Sequence, residues 1–313
     1  MTASPVLSAQ GRTPAWVPLV LLVILGLCWG LHFPLMKFAV KADLSYAGIT
    51  ALALGVVAGA LTAASLLRGR MPVLRLRYVG FYLLLALLGY LGPYFLGLFA
   101  SARIDSGMLT IVGATAPVLT LCLAALARIE RVSMTRIVGI GLGILSVLSL
   151  VLPQIGAVDA SALLGIAIGF GVPLCYSSYH VYLSKRWPLG SDSLQLACGE
   201  ALAACCVMLP VFLIADGGGI FQQGWSSGHW AILAMAALTT IDCYLYFEIV
   251  RLAGPVFVSQ ANFVTVAAGV VWGMTLHGER PGTWLWLSVV LLIASLFMLT
   301  RQRRTVAIQP TIL

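Results

Sequence analysis

The 313-residue chain is too apolar for a soluble protein, because hydrophobic residues make up 61% of it, charged residues 9%, and the mean hydropathy is +1.03. A water-soluble domain of this composition would expose large apolar patches. The formal net charge of +8 does not indicate nucleic-acid binding, because the basic residues lie in the gaps between apolar segments. We therefore expect an integral membrane protein with the lipid bilayer as its environment and no nucleic-acid partner.

Ten apolar segments are long enough, at about 20 residues each, to cross roughly 30 Å of hydrocarbon. In chain order we predict membrane spans at 16–40, 45–67, 78–100, 107–127, 137–152, 162–184, 193–215, 229–250, 256–276 and 283–300. The loops between them are too short to form a soluble domain. The first apolar stretch is too long for a cleavable signal peptide and has no small-residue cleavage site, so we count it as a span.

The basic residues are divided unevenly between the two sides of these spans. All of them except Lys37, Lys41, Arg103 and Arg280 fall in the two tails or in every second loop, which the predicted spans place on one side of the membrane. The positive-inside rule then places both termini and the basic loops in the cytoplasm. We predict a multi-pass protein of the inner (cytoplasmic) membrane.

Two stretches of the chain, 98–130 and 247–279, follow the same pattern. Glu130 is the last residue of the first stretch and Arg131 follows it, and Glu279 and Arg280 hold the same positions at the end of the second. We expect both glutamates to cap loops through hydrogen bonds. The duplication indicates a protein built from two similar halves, a pattern typical of secondary transporters.

The predicted organisation follows from this duplication. We expect a cytoplasmic tail at 1–15, a first half at 16–152, a connecting loop at 153–161, a second half at 162–300 and a cytoplasmic tail at 301–313. Because each half has five spans, the second half enters the membrane from the opposite side. The predicted fold class is an all-α integral membrane protein with ten transmembrane helices in two inverted five-helix repeats.

Glycines recur four residues apart in several spans, a spacing that lets helix backbones approach closely. The pairs are Gly26 and Gly30, Gly55 and Gly59, Gly139 and Gly143, Gly165 and Gly169, and Gly269 and Gly273. We expect packing within one chain, and a homodimer face is the alternative that the sequence leaves open. The seven cysteines all lie inside predicted spans without metal-site spacing, so we predict packing roles and no metal or cofactor.

The first span carries Trp29-Gly30, Pro34 and Lys37, and the fourth and fifth carry Pro117, Glu130, Gly139 and Gly143. Together with Glu279 before the last span, these residues resemble the drug/metabolite transporter (DMT) superfamily in its EamA-type branch. Two positions depart from the family pattern: Val266 stands where relatives often carry a second proline, and Tyr176 where the first half has Trp29. The resemblance implies two inverted five-helix repeats around a central cavity and transport of small metabolites, frequently outward.

Three ionisable residues inside predicted spans are candidates for ion coupling, because a charge in hydrocarbon costs at least roughly 2.5–3.5 kcal/mol. Asp242 lies roughly 12 Å from the cytoplasmic end of its span, too deep to reach the interface. It is predicted to bind a proton or a substrate amine, and a buried hydrogen-bonded aspartate is the alternative. Glu200 is nearer the cytoplasmic end of its span, within expected reach of the interface or Lys185. Lys37 lies near the outer end of the first span, where its long side chain can extend to the interface.

Aromatic and polar side chains at spacings of three and four residues share helix faces in both halves. The candidate substrate-binding residues are Trp29, His32, Tyr90, Tyr94, Tyr176, Tyr179, His180, Gln260 and Asn262. If these faces converge, they form an aromatic cavity with a few polar groups, suited to an amphipathic or zwitterionic solute and able to bind cations through ring faces. Ordinary helix packing is the alternative.

These features predict a secondary active transporter that exports amino acids or related small metabolites by alternating access, coupled to protons or working by exchange. The sequence has no GxxxxGK[ST] phosphate loop, so we expect no ATP hydrolysis. The alternatives are a channel and an intramembrane enzyme or lipid-handling protein. We expect no enzymatic activity, because HExxH and GxSxG motifs are absent, and the duplicated, Gly- and Pro-interrupted helices favour a rocking movement over a static pore.

Overall fold

The computed structural model describes residues 16–73, 75–113, 115–126, 134–157, 160–186, 188, 190–222, 224–253, 258 and 261–300, and all regular elements in this part are helices. The first half contains α1 (Trp16–Lys41), α2 (Tyr46–Leu67), α3 (Leu76–Ala86), a π-helical turn (Leu87–Leu91), α4 (Gly92–Ser101), α5 (Ser106–Gly113), α6 (Ala116–Leu126) and α7 (Met134–Ala157). The second half contains α8 (Ala160–Gly169), α9 (Gly171–Arg186), α10 (Ser193–Ala215), α11 (Gly219–Gln222), α12 (Ser227–Ala253), α13 (Ala261–His277) and α14 (Thr283–Thr300).

Seven helical stretches in the described residues are long and apolar enough to cross a membrane. They are Trp16–Lys41, Tyr46–Leu67, Tyr78–Ser101, Ser106–Leu123, Ala160–Leu183, Ser193–Ala215 and Ser227–Ile249. The fifth, ninth and tenth predicted spans overlap the shorter apolar helices Ile137–Ser146, Ala261–His277 and Thr283–Ser295. The all-helical, membrane-spanning character is confirmed, whereas the count of ten spans stays a prediction.

Local side-chain contacts fix where two of the long helices begin. Ser45 precedes α2, and its Oγ accepts a hydrogen bond from the Gly48 amide at 2.9 Å. Asp192 precedes α10 and forms a capping box with Gln195, in which each side chain accepts from the backbone amide of the other. Such caps satisfy amides that have no partner within the helix.

The two halves pack on each other in a reciprocal way. Helix α1, the first of its half, packs on α12 and α13, and α9 in the second half packs on α4 and α6. The second spans, α2 and α10, pack together, and so do α7 and α14. Each half therefore supplies one wall of the central region.

Glycines bring α1 and α13 into close backbone contact. A Cβ on Gly30 would lie 2.7 Å from Ala268 Cβ and 2.9 Å from the Thr265 carbonyl oxygen, closer than real Cβ atoms approach. The predicted packing role therefore holds within the chain at this position. By contrast, a Cβ on Gly55 or Gly59 would meet no atom within 4 Å.

Candidate functional site

A cavity of about 140 Å³ lies where the two halves meet. This is well above the roughly 10–15 Å³ that a cavity needs to hold a single water molecule. The described residues that line it are Trp29, His32, Phe33, Gly89, Tyr90, Tyr94, Gly113, Ala116, Tyr176, Tyr179, His180, Glu200, Thr239, Asp242, Cys243, Tyr246, Phe247, Asn262 and Thr265. Aromatic rings and a few polar groups from both halves thus surround one space, the usual make-up of a small-molecule site.

The π-helical turn in the third span shapes one wall of the cavity. The Gly92 amide donates to the Leu87 carbonyl, five residues back. Pro93 has no amide hydrogen to donate to the Gly89 carbonyl, so an α-helical hydrogen bond is missing at this point. A side chain on Gly89 would overlap the Glu200 carboxylate, so the glycine leaves room for that group. Single π turns inside α-helices are frequent at functional sites.

Two carboxyl groups face the cavity from the second half. Glu200 on α10 is only 2% exposed, and its Oε2 accepts a hydrogen bond from the Tyr179 hydroxyl at 2.9 Å. Asp242 on α12 is partly exposed to the cavity. Within the described residues neither carboxyl group has an ion-pair partner, since the ion pairs there involve Lys37 and Arg70.

One group of aromatic side chains connects α1, α9 and α12. The Tyr246 ring lies 6.4 Å from the Trp29 ring between centroids and stacks on His180 at 5.4 Å. The Tyr246 hydroxyl and His180 Nδ1 are 2.7 Å apart and share a hydrogen bond. These contacts hold the rings on the cavity wall.

A second group of side chains fixes the wall formed by the third span. The Tyr94 ring meets His32 edge-on at 5.4 Å, and its hydroxyl shares a hydrogen bond of 3.0 Å with Thr239. The Tyr90 hydroxyl donates to Cys243 Sγ at 3.2 Å. His32 Nδ1 is buried with no hydrogen-bond partner among the described residues, so it is available to a ligand or water.

The family model of the EamA-like transporter family matches residues 16–152 and 163–301. The chain belongs to the EamA-like transporter family. This is a family of transporters rather than enzymes, so the EamA-like chain is a multi-pass membrane protein of a small-molecule transporter family, with the family's two-repeat architecture.

Comparison with solved structures supports the same fold for the EamA-like chain. It is similar to a crystal structure with which it shares 17% sequence identity, over 90% of this chain and 98% of that one, with a TM-score of 0.61. At this identity the likeness shows the fold alone. No curated protein matches the chain.

The structure brings most of the predicted site residues of the EamA-like chain together. Every candidate binding residue except Gln260 lines the cavity, and Gln260 lies outside the described residues. Asp242 and Glu200 also line it. Glu200 was expected within reach of the interface, but its side chain is buried and points into the protein. Their roles stay predictions.

Sequence reasoning missed several lining residues on α12. Thr239, Cys243 and Phe247 were not among the candidates, although all three line the cavity. Thr239 lies three residues before Asp242, and Cys243 and Phe247 follow Thr239 at steps of four residues, so helical spacing was the available signal. Small and apolar side chains carry no chemical signature of their own, so spacing alone could have found them.

Lys37 lies apart from the cavity in an ion-pair cluster. Its Nζ is 2.9 Å from Asp105 Oδ1 and 2.9 Å from Glu279 Oε1, so the side chain pairs inside the protein and does not extend freely to the interface. Glu279 also accepts from the Ser106 amide at 2.9 Å, the Ser106 hydroxyl at 2.7 Å and the Gly107 amide at 3.1 Å. It therefore caps α5, as expected of a loop-capping residue, and joins the second half to the first.

The electrostatics of this cluster favour a charged Glu279. Burial raises the pKa of Glu279, but hydrogen bonds from Lys37, Ser106 and Gly107 outweigh burial and hold this pKa below its ordinary value of 4.5. The corresponding residue of the first half, Glu130, lies outside the described residues.

Proposed function

We propose that this EamA-like protein is a secondary active transporter that exports amino acids or related small metabolites by alternating access, coupled to protons or working by exchange. The proposal includes ten transmembrane helices in two inverted five-helix repeats, in the inner membrane with both termini in the cytoplasm. The observation that carries it is the cavity whose wall both halves supply. A site between two repeats opens to one side or the other when the repeats move against each other.

Contacts between the halves at two places support this movement. Lys37 and Glu279 bridge the halves at the predicted external end, with both side chains largely buried. Arg70 and Asp192 bridge them at the predicted cytoplasmic end, 3.5 Å apart, and both are more exposed. An alternating-access cycle would break and re-form these bridges in turn, and the buried one would need more free energy to open.

Asp242 is the proposed coupling group. It is a carboxyl group that faces a cavity with aromatic walls and has no ion-pair partner in the described part of the chain. An unpaired charge in such surroundings is costly, so the group is satisfied either by a proton or by a cationic solute. Competition between the two would couple proton flux to export.

Uptake into inverted membrane vesicles tests the proposal. A panel of labelled amino acids and metabolites is supplied outside, with and without a proton gradient, acid inside. We expect accumulation that collapses with the gradient. Uptake that requires solute loaded inside instead would indicate exchange, and no uptake of any panel member by vesicles shown to contain the protein would refute the export of these solutes.

A substitution at Asp242 tests the coupling step in the same vesicles. Asp242→Asn should abolish gradient-driven accumulation while leaving expression intact. Asp43→Asn is the matched control, because Asp43 is exposed outside the cavity and has a φ of 55° that asparagine also adopts. Unchanged flux in Asp242→Asn would remove Asp242 from the coupling mechanism.

A further inference from the structure

Among the described residues that line the cavity, the carboxyl groups of Asp242 and Glu200 are the acidic groups, and no lysine or arginine faces them. Lys37, the basic residue farthest inside a predicted span, is engaged by Asp105 and Glu279 away from the cavity.

The two carboxyl groups differ in how far the protein already satisfies them. Glu200 is almost fully buried and accepts the Tyr179 hydroxyl. Asp242 is partly exposed to the cavity; the Cys243 backbone amide donates to it, but no side chain of the described residues does. A cationic solute would therefore find its more available partner at Asp242, with Glu200 as a second acidic group nearby.

The rest of the wall also suits a positive charge. The rings of Trp29, Tyr176 and Tyr246 line the cavity, and the faces of tryptophan and tyrosine attract cations within about 6 Å of the ring centroid. Two of the tyrosine hydroxyls on the wall are already used as donors, since Tyr179 donates to Glu200 and Tyr90 donates to Cys243. The apolar part of the wall suits a hydrocarbon or aromatic body.

A solute carboxylate, by contrast, would meet no lysine or arginine among the described residues that line the cavity. The remaining side chains that can carry a positive charge are His32 and His180, and His180 Nδ1 already shares a hydrogen bond with Tyr246. Burying an unpaired carboxylate beside two protein carboxyl groups is strongly unfavourable. This penalty would make an amino acid bind more weakly than the amine that has the same hydrocarbon part but no carboxylate.

We propose that the cavity selects organic amines that carry a positive charge and no carboxylate, with Asp242 as the group that binds the ammonium. This inference rests on the proposed transport function and narrows its substrate class within the small metabolites. Glu200 is a second acidic group on the same wall, and the rings of Trp29, Tyr176 and Tyr246 surround the ammonium and the apolar body.

Three probes that share a phenyl ring and differ in their charged groups test the inference. Binding of phenethylamine, phenylalanine and 3-phenylpropionate to the purified full-length protein is measured by calorimetry at neutral pH. We expect phenethylamine to bind at least tenfold more tightly than phenylalanine, and 3-phenylpropionate to bind most weakly. Equal or tighter binding of phenylalanine would overturn the inference and indicate that a histidine supplies the missing positive charge, and no binding of phenethylamine would also overturn it.

Variants then locate the ammonium partner. Asp242→Asn should weaken phenethylamine binding at least tenfold, whereas the control Asp43→Asn should leave it unchanged. Asp242→Glu keeps the charge and should retain part of the affinity. If Asp242→Asn proves unstable, the comparison of the three probes on the unaltered protein still decides on the amine preference. An unchanged affinity in a folded Asp242→Asn variant would refute the assignment of the ammonium partner.

The same probes separate this inference from the proposed function. Vesicle uptake is measured for phenethylamine and phenylalanine beside the binding assay. Tight phenethylamine binding with no flux of any solute would refute transport and leave the amine preference standing. Flux of phenylalanine without binding or flux of phenethylamine would overturn the amine preference and leave the transport function intact.

Discussion

Lys37 forms one buried and one exposed ion pair of equal length, which allows a test of how burial affects the contribution of an ion pair to the free energy of unfolding. Both Glu279 and Asp105 lie 2.9 Å from Lys37 Nζ, yet the Glu279 side chain is 10% exposed and that of Asp105 is 63% exposed. Glu279→Gln and Asp105→Asn each remove one negative charge from the same lysine with almost no change of shape. The two variants therefore serve as each other's control.

The expected losses differ several-fold. Removing one partner of a buried ion pair costs about 3–5 kcal/mol, whereas an exposed pair contributes about 0–1 kcal/mol. Glutamine keeps one oxygen, which can still accept from the Ser106 amide as Oε1 does, so we expect Glu279→Gln to lose about 3 kcal/mol, at the lower end of that range. Asp105→Asn should lose less than about 1 kcal/mol.

The free energy of unfolding is measured by reversible denaturation in mixed micelles with increasing fractions of a denaturing detergent. Equal losses in the two variants would refute the argument that burial sets the strength of the pair. A loss below about 1 kcal/mol for Glu279→Gln would mean that water reaches the cluster and screens it.

The lowered pKa of Glu279 adds a dependence on pH to the same measurement. Because the folded-state pKa lies below the ordinary value of 4.5, the stabilisation is fully present above pH 4.5. It is lost as the pH falls through the lowered folded-state pKa. The difference in unfolding free energy between the unaltered protein and Glu279→Gln should therefore be constant from pH 7 to about pH 5 and shrink at lower pH. A difference that grows on acidification would contradict the assignment.

Two further predictions concern packing and topology. Gly30→Ala should lower the free energy of unfolding by about 1–3 kcal/mol, because the added methyl group meets the backbone of α13, and Gly55→Ala, which meets no atom within 4 Å, should leave it unchanged. Equal losses would show that the α1–α13 contact yields easily. In a cysteine-free background, a membrane-impermeant thiol reagent added outside cells should modify Arg280→Cys but not Arg70→Cys, and the reverse labelling pattern would overturn the predicted orientation.

The cavity could be predicted from the sequence because its wall uses rare residue types at helical spacing. Trp29 and His32, three residues apart in an apolar span, and Tyr176, Tyr179 and His180 in another, share helix faces whatever the tertiary structure. A hydropathy pattern also locates most helices, because a membrane helix must satisfy its own backbone hydrogen bonds. These local rules need no knowledge of the partner helix.

Features that depend on a distant partner could not be predicted in this way. The contact of Lys37 with Glu279 joins residues 242 positions apart, and neither residue shows by itself which side chain it meets. Glu200 has a sequence position near the end of its span, yet the glycine at position 89 gives it room inside the protein. The π-helical turn depends on one shifted hydrogen bond, which Pro93 favours but does not specify.

Helix α1 connects the cavity to the ion pair between Lys37 and Glu279, and Pro34 lies between the two. Trp29 and His32 line the cavity, while Lys37 holds the ion pair with Glu279 nearer the end of the helix. Pro34, between them, has no amide hydrogen to donate to the Gly30 carbonyl, so α1 bends more easily there than elsewhere. Pro34 thus divides α1 into two helical segments that can change their angle to each other. We therefore expect a displacement at Trp29 and His32 to be transmitted only in part to Lys37.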